Sequence, residues 1–213
     1  MAAKSFSSAP GTVRITGGAI KGRKLAVPAG SGVRPTTDRA RETLFNVLVN
    51  RFRKLGGESV LAGAQVLDAF AGTGAMGLEA WSRGAAFVAF VETQSAHFAT
   101  LNENLRAAKL PAQAGTALRT HEELGGLEGL GVLERGRSID LIIADPPYEH
   151  GHALVATLLA RQSVLWHAAT LLVWEHPRSA SADAGFAGWD AVHQTLSGKT
   201  AFSFFTPSQT DRT

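Results

Sequence analysis

The sequence predicts an α/β fold built on a mostly parallel sheet. Three observations carry that prediction. Short apolar runs alternate with helix-length stretches along most of the 213 residues, the pattern of strands joined by helical crossovers. The segment from Ala64 to Gly84 reads as strand, glycine turn and helix. A further apolar run, Ile139 to Ala144, ends in Asp145-Pro146-Pro147-Tyr148, so a buried strand leaves the sheet through a rigid turn. A chain of this length buries one good core, and one domain is the default.

The elements follow in order. Met1 to Pro10 is rich in Ser and Ala, and residues 1–11 are expected to form a disordered tail. Thr12 to Thr16 and Arg23 to Val27 read as strands joined by a Gly-rich turn, a basic β-hairpin extension within residues 12–30. Gly30 to Pro35 is a loop, and Thr37 or Asp38 caps a helix running to about Arg53. Its apolar residues Ala40, Leu44, Phe45, Leu48 and Val49 recur at helical spacing. Ala64 to Phe70 is the first strand of the main sheet, and the short helix after its glycine turn contains Met76, Leu78, Ala80 and Trp81. Ala86 to Val91 is the next strand, ending at Glu92. Gln94 to Lys109 reads as a helix with Leu101 and Leu105 in the core; Asn102 and Asn104 are either polar surface or site-facing, and surface is favoured. The following strand is the weakest, at Gln113 to Ala117, and Gly125 to Gly136 is a loop or a frayed helix. After the Asp-Pro-Pro-Tyr turn come a helix over His152 to Leu165 and a strand over Thr170 to Glu175. Ala191 to Leu196 and Ala201 to Thr206, separated by Ser197-Gly198-Lys199-Thr200, form a closing antiparallel hairpin.

Composition excludes several classes. There is no cysteine, hence no disulfide, no thiolate metal site and no covalent attack by a thiolate on a pyrimidine ring. The seven histidines do not form a metal set: His150 and His152 are the nearest pair, and no ligands follow at zinc-like spacing. No signal peptide or membrane-spanning run is visible, so a cytoplasmic protein is expected. The formal charge of +3 is unevenly placed. Through Lys54 there are 11 Lys plus Arg against 2 acids, a balance of +9, and the remainder carries −6. A basic amino-terminal quarter on a mildly acidic body suits a phosphate backbone. The candidates for that contact are Arg14, Lys21, Arg23, Lys24, Arg34, Arg39 and Arg41. The bland alternative is a solvated basic arm and a helix face with ordinary ion pairs.

The glycine turn points to a nucleotide-like cofactor. Ala71-Gly72-Thr73-Gly74 lets the backbone approach a ligand at the carboxyl end of its strand. The Lys-Ser/Thr ending of a phosphate loop is missing. Glu92 follows the glycines by about 20 residues, the spacing of a ribose-binding acid in a βαβ unit. Gly72, Gly74 and Gly77 have dinucleotide-like spacing, but Asp68 at the strand end would repel phosphates and could meet a cationic methionine moiety. Those features favour S-adenosylmethionine over a dinucleotide. The candidate cofactor residues are Asp68, Ala69, Phe70, Ala71, Gly72, Thr73, Gly74, Glu92 and Thr93.

Asp145-Pro146-Pro147-Tyr148 supplies the candidate catalytic set. A strand ending in Asp-Pro-Pro-aromatic resembles the signature of amino-methyltransferases, which act on an exocyclic NH2 of a planar ring or a conjugated amide. An aryl amine is a poor nucleophile because its lone pair is delocalised. Acceptors that hold its hydrogens out of plane make that lone pair more available. The Asp145 carboxylate and the Pro146 carbonyl can both accept, since proline keeps its C=O while lacking an N–H. Tyr148 offers a face on which a base can stack.

Together these stretches resemble the class I methyltransferase order: Leu67-Asp68-Ala69-Phe70-Ala71-Gly72-Thr73-Gly74, Val91-Glu92, then Asp145 to Tyr148. Arg14-Ile15-Thr16-Gly17-Gly18, Gly22-Arg23-Lys24-Leu25 and the run from Arg34-Pro35-Thr36-Thr37 to Leu44-Phe45-Asn46 resemble the RsmD family. The likeness runs from about Val13 to Phe205. It implies a Rossmann-like class I fold: a mostly parallel seven-stranded sheet ending in an antiparallel hairpin, with the small amino-terminal hairpin in front and residues 31–213 as the methyltransferase domain. It implies transfer from S-adenosylmethionine to N2 of a guanine in 16S ribosomal RNA, on an assembling small subunit; with no exposed apolar seam and no metal set evident in the sequence, a monomer without a metal is expected. It also places Thr36, Arg39 and Arg41 beside the cofactor's methionine end or the RNA, and Glu175-His176-Pro177 at the end of the fifth strand. Many relatives carry a polar residue after the third strand that meets the adenine, whereas Gly115-Thr116-Ala117 offers no acid. Residue chemistry alone leaves three alternatives: a DNA adenine-N6 or cytosine-N4 methyltransferase, a non-catalytic RNA-binding assembly factor, and a small-molecule or protein-amide methyltransferase, which would leave the basic arm unexplained.

Overall fold

The structure, a computed structural model, describes residues 12–28, 36–119, 138–147, 149–161, 165–179 and 185–209. The expected tail, the loop at 30–35 and the segment Gly125 to Gly136 lie outside the described residues. Two short strands, β1 (Thr12–Arg14) and β2 (Lys24–Ala26), pair antiparallel ahead of the main body. The sheet strands are β3 (Gln65–Asp68), β4 (Phe87–Glu92), β5 (Gly115–Arg119), β6 (Ile139–Ala144), β7 (Trp166–Pro177), β8 (Trp189–Ser197) and β9 (Thr200–Pro207). The helices are α1 (Asp38–Asn50), α2 (Ala75–Ser82), α3 (Ser95–Ala108) and α4 (Gly151–Arg161). None of them is long and apolar enough to cross a membrane.

The seven strands lie in the order β5-β4-β3-β6-β7-β9-β8. The first five are parallel, and β9 pairs antiparallel with both β7 and β8. This is the expected Rossmann-like sheet with its closing hairpin. Chain order reverses between β3 and β6, and a crevice opens beyond the carboxyl ends of strands at such a switch point. Asp68 ends one of these strands and Asp145 follows the other.

Burial follows from this layering. Every residue of β4 is buried, as befits a parallel strand covered on both faces. On one face, Val66, Phe90, Ile143 and Val173 pack against Leu44, Phe45 and Leu48 of α1, Leu78 of α2 and Leu101 of α3. Val13, Ile15 and Leu25 of the small hairpin join this core. On the other face, Leu67, Ala89, Ile142 and Leu172 pack against Val155, Leu158 and Leu159 of α4. Most boundaries shift by a few residues from the sequence reading, and two of the shifts have a visible cause. The strand expected from Gln113 starts at Gly115, because Ala112–Ala114 form a 3-10 turn behind Pro111. The strand expected from Thr170 starts at Trp166, across an irregularity where Thr170 Oγ1 donates to the Ile139 carbonyl at 2.6 Å.

A buried carboxylate fastens the small hairpin to the body. Glu79 of α2 is fully buried and accepts from the Thr16 amide and hydroxyl, each at 2.7 Å, and from Arg83 Nε at 2.8 Å. Arg41 Nε approaches it to 3.6 Å. The Arg41 guanidinium also donates to the Thr36 carbonyl at 3.1 Å, to Asp38 Oδ1 at 2.8 Å and to the Arg14 carbonyl. Arg41 is therefore an internal clamp at 1% exposure, a placement that the sequence reading, which set it against RNA or cofactor, did not anticipate. At the next turn of α2, Ser82 receives the Ala19 amide on its carbonyl at 2.6 Å and donates Oγ to the Gly17 carbonyl at 2.6 Å. Gly18 lies there at φ 79°, and a Cβ on it would fall 1.8 Å from the Ser82 carbonyl oxygen, so only glycine fits.

Glu79→Ala leaves two arginines facing a buried void. Breaking a buried ionic network from one side costs about 3–5 kcal/mol, so urea unfolding should move to a much lower midpoint. Trypsin should also cut faster at Lys21 and Arg23. An unchanged midpoint would remove Glu79 as the anchor.

Candidate active site

The glycine loop connects β3 to α2 at the switch point. Gly72 and Gly74 have φ of 53° and 80°, a left-handed conformation that other residues adopt only with strain. A Cβ on Gly74 would sit 2.5 Å from Leu101 Cδ1, whereas a Cβ on Gly72 would meet nothing within 4 Å. The loop is thus tight underneath and open above. Thr73 is half-buried, and its carbonyl is tied down by Asn104 Nδ2 at 2.8 Å. Ala69 and Ala71 are buried and Phe70 is half-buried.

Two acids frame the loop. Glu92, at the end of β4, accepts the Gly72 amide on Oε2 at 2.8 Å and the Gln94 amide on Oε1 at 2.7 Å. Each carboxylate oxygen has a second lone pair, so both can still receive a hydroxyl. Thr93 beside it is exposed. Asp68 is buried and takes the Gly77 amide on Oδ2 at 2.8 Å, which satisfies a donor in the first turn of α2. Burial pushes the Asp68 carboxyl up to about 7. The Gly77 hydrogen bond opposes the rise, and the charges of Asp145 and Glu92 add to it. Acids that raise one another in this way make a site that favours a cation and rejects a phosphate.

Across the crevice, Asp145-Pro146-Pro147 leaves β6, and Pro146 is buried while Pro147 is exposed. Gly151, the first residue of α4, lets the helix start against the proline: a Cβ there would lie 2.9 Å from Pro146 Cγ. Thr36 Oγ1 stands 3.0 Å from Asp145 Oδ2 and 2.8 Å from Glu175 Oε2. Among the described residues, Asp145 Oδ1 and the Pro146 carbonyl receive no hydrogen bond. Burial raises the Asp145 carboxyl, opposed by Thr36. It raises the more deeply buried Glu175 further, to about 9, with the Asp145 charge adding and Thr36 and Arg41 opposing.

The structure gathers Thr36, Asp68, Glu92 and Asp145 around one crevice, while Tyr148 and Arg34 lie outside the described residues. Arg14, Lys21, Arg23, Lys24 and Arg39 are exposed. Arg14 and Lys24 are directly paired across the β1–β2 ladder. Like charges in that relation repel, and among the described residues Arg14 alone is partly relieved, by Asp38 at 3.5 Å. Among the described residues, no group of three or more potential ligands could hold a metal.

Three polar positions at or behind the crevice were missed or misplaced from the sequence. Glu175 was read only as a strand end. Asn104 was expected at the surface, yet it is buried and brackets Ala26 of β2, accepting its amide at 2.8 Å and donating to its carbonyl at 3.0 Å. Its spacing from Leu101, Leu105 and Ala108 is that of one helical face, a signal that could have found it. Arg41 stands in the same relation to Leu44, Phe45 and Leu48.

Comparisons with known proteins agree with this geometry. A family model described as "Conserved hypothetical protein 95" matches residues 13–206. Ribosomal RNA small subunit methyltransferase D of Escherichia coli (strain K12) is 34% identical over 203 residues, covering 95% of this chain and 93% of that protein. The protein of the same name from Haemophilus influenzae is 34% identical over 141 residues, 66% of each chain. Among solved structures, yhhF of Escherichia coli superposes with a TM-score of 0.71 at 32% identity, covering 92% of this chain and 98% of that one. A hypothetical protein of Thermus thermophilus gives 0.67 at 30% identity, with coverages of 90% and 98%. With its sheet order, its switch-point acids and these matches over nearly its whole length, the chain belongs to the RsmD family of RNA methyltransferases.

Proposed function

We propose that this protein transfers a methyl group from S-adenosylmethionine to the exocyclic N2 amine of a guanine in 16S ribosomal RNA, acting in the cytoplasm on an assembling small subunit. The observation that carries this reading is the pairing of open acceptors, Asp145 Oδ1 and the Pro146 carbonyl, at the crevice that Asp68 and Glu92 line on its other side. The names of the curated relatives support ribosomal RNA as the substrate.

The residues present fit the cofactor. Glu92 is placed to receive the ribose hydroxyls, the open side of Gly72 admits the ligand, and the mutually repelling acids suit a cation. When bound, S-adenosylmethionine supplies a methyl carbon made electrophilic by its sulfonium. The chain's task is to orient the amine. Asp145 Oδ1 accepts one N–H and the Pro146 carbonyl accepts the other, which turns the nitrogen lone pair out of conjugation. Tyr148 stacks on the base once it has left its helix. Rate enhancement then comes from positioning and fixed electrostatics. The exposed cations of the hairpin, with Arg34 and Arg39, hold the RNA backbone.

Asp145→Ala should slow transfer by about a hundred- to ten-thousand-fold while cofactor binding, read by calorimetry, stays largely intact. Unchanged turnover would take Asp145 out of the mechanism. Label from S-adenosylmethionine, identified by nucleoside mass spectrometry, should appear as N2-methylguanosine at one 16S site of unmethylated small subunits. Label on DNA adenine or cytosine would refute the RNA reading.

Replacing Arg14, Arg23 and Lys24 together by glutamine should weaken RNA binding. The slope of log affinity against log salt should flatten by about one for each phosphate that is no longer neutralised. An unaltered slope would place the RNA elsewhere.

A further inference from the structure

The orienting role assigned to Asp145 leaves the Glu175 carboxyl unused. A threonine hydroxyl has one proton to donate, yet Thr36 Oγ1 lies within hydrogen-bond distance of both Asp145 Oδ2, at 3.0 Å, and Glu175 Oε2, at 2.8 Å. If it donates to one carboxyl, it must accept from the other. One of the two acids therefore carries a proton of its own. Two ionised carboxylates converging on one oxygen would repel each other with little water between them.

Exposure decides which acid is neutral. Asp145 is half-buried at the crevice, whereas Glu175 is buried at 4% exposure. The surrounding charges are Arg41 from α1, which favours ionisation of Glu175, and Asp68 from β3, with Glu92 of β4 beyond it. On β9, Glu175 is paired with Phe202, which adds no charge. His176 projects to the opposite face and is held by Ser203 Oγ at 2.8 Å.

We propose that Glu175 is a neutral carboxylic acid that donates to Thr36 Oγ1, so that the Thr36 proton is directed at Asp145 and holds it as an ionised acceptor with Oδ1 turned to the target amine. Glu175 is thus a positioning residue acting through Thr36. The chain of donors runs Glu175 to Thr36 to Asp145 and consumes no proton in the transfer.

This inference rests on the methyl-transfer reading, and two measurements keep them distinguishable. The first needs no substrate. Infrared spectra of the unaltered protein near neutral pH should contain a neutral-acid C=O band that moves when glutamate is labelled with carbon-13. Absence of any band that moves overturns the assignment to Glu175; Asp68, raised to about 7, contributes a neutral-acid band of its own that labelled glutamate leaves in place.

The second measurement is single-turnover transfer to small subunits at saturating cofactor, followed against pH. Transfer by the unaltered protein is the reference, and its failure sinks the methyl-transfer reading without touching the infrared result. A raised carboxyl is protonated below its folded-state pKa and ionised above it, so the rate should fall as pH passes about 9. Glu175→Ala should lower the neutral-pH rate by about ten- to a hundredfold, as loss of a supporting hydrogen bond does elsewhere. Glu175→Gln preserves a neutral donor of the same shape, so it should recover most of that loss and lack the alkaline fall. A Glu175→Gln protein as slow as Glu175→Ala, or one that keeps the alkaline fall, overturns the proposal.

Discussion

The Glu79 carboxylate is the point on which the front of the molecule converges. Thr16 brings the hairpin to it, Arg83 belongs to its own helix, and Arg41 reaches it from α1. A fully buried charge is tolerable only when its partners are fixed. Once they are fixed, so is much else. Arg41, held by Glu79, holds the Thr36 carbonyl, and Thr36 in turn touches Asp145. The basic hairpin and the loop that carries Asp145 are thereby referenced to one internal network, although they are far apart in sequence.

The crevice illustrates a trade between stability and chemistry. Asp68, Glu92, Asp145 and Glu175 approach one another at the carboxyl ends of parallel strands; burial raises three of them, and the charge of Asp145 raises Asp68 and Glu175 further. A fold selected for stability alone would not collect acids there. The arrangement becomes favourable when a positively charged ligand enters, so part of the cost of the unliganded state returns as binding energy.

The centre of the sheet was legible because β3, β4 and β6 are short apolar runs that end at or beside an acid, and Asp68, Glu92 and Asp145 map onto neighbouring strand ends. What escaped were polar residues on apolar faces. Arg41 and Asn104 were read by residue type, as surface groups, although their helical spacing put them with leucines. Glu175 escaped for another reason: its partner Thr36 is 139 positions away, and no local pattern reports such a contact. The contacts of Tyr148, which stacking on a base would require, fall outside the described residues.

Gly18 has a consequence for how such a protein can change. Its place against Ser82 admits no side chain, so the frame of the hairpin turn is closed to substitution. Lys21, Arg23 and Lys24 on the same hairpin are exposed, and no ion pair or side-chain hydrogen bond holds them among the described residues. Their charges can be redistributed at little cost to the fold. The hairpin thus separates a rigid mount from a replaceable surface, and changes of charge can accumulate on the outer positions while the mount behind them stays in register.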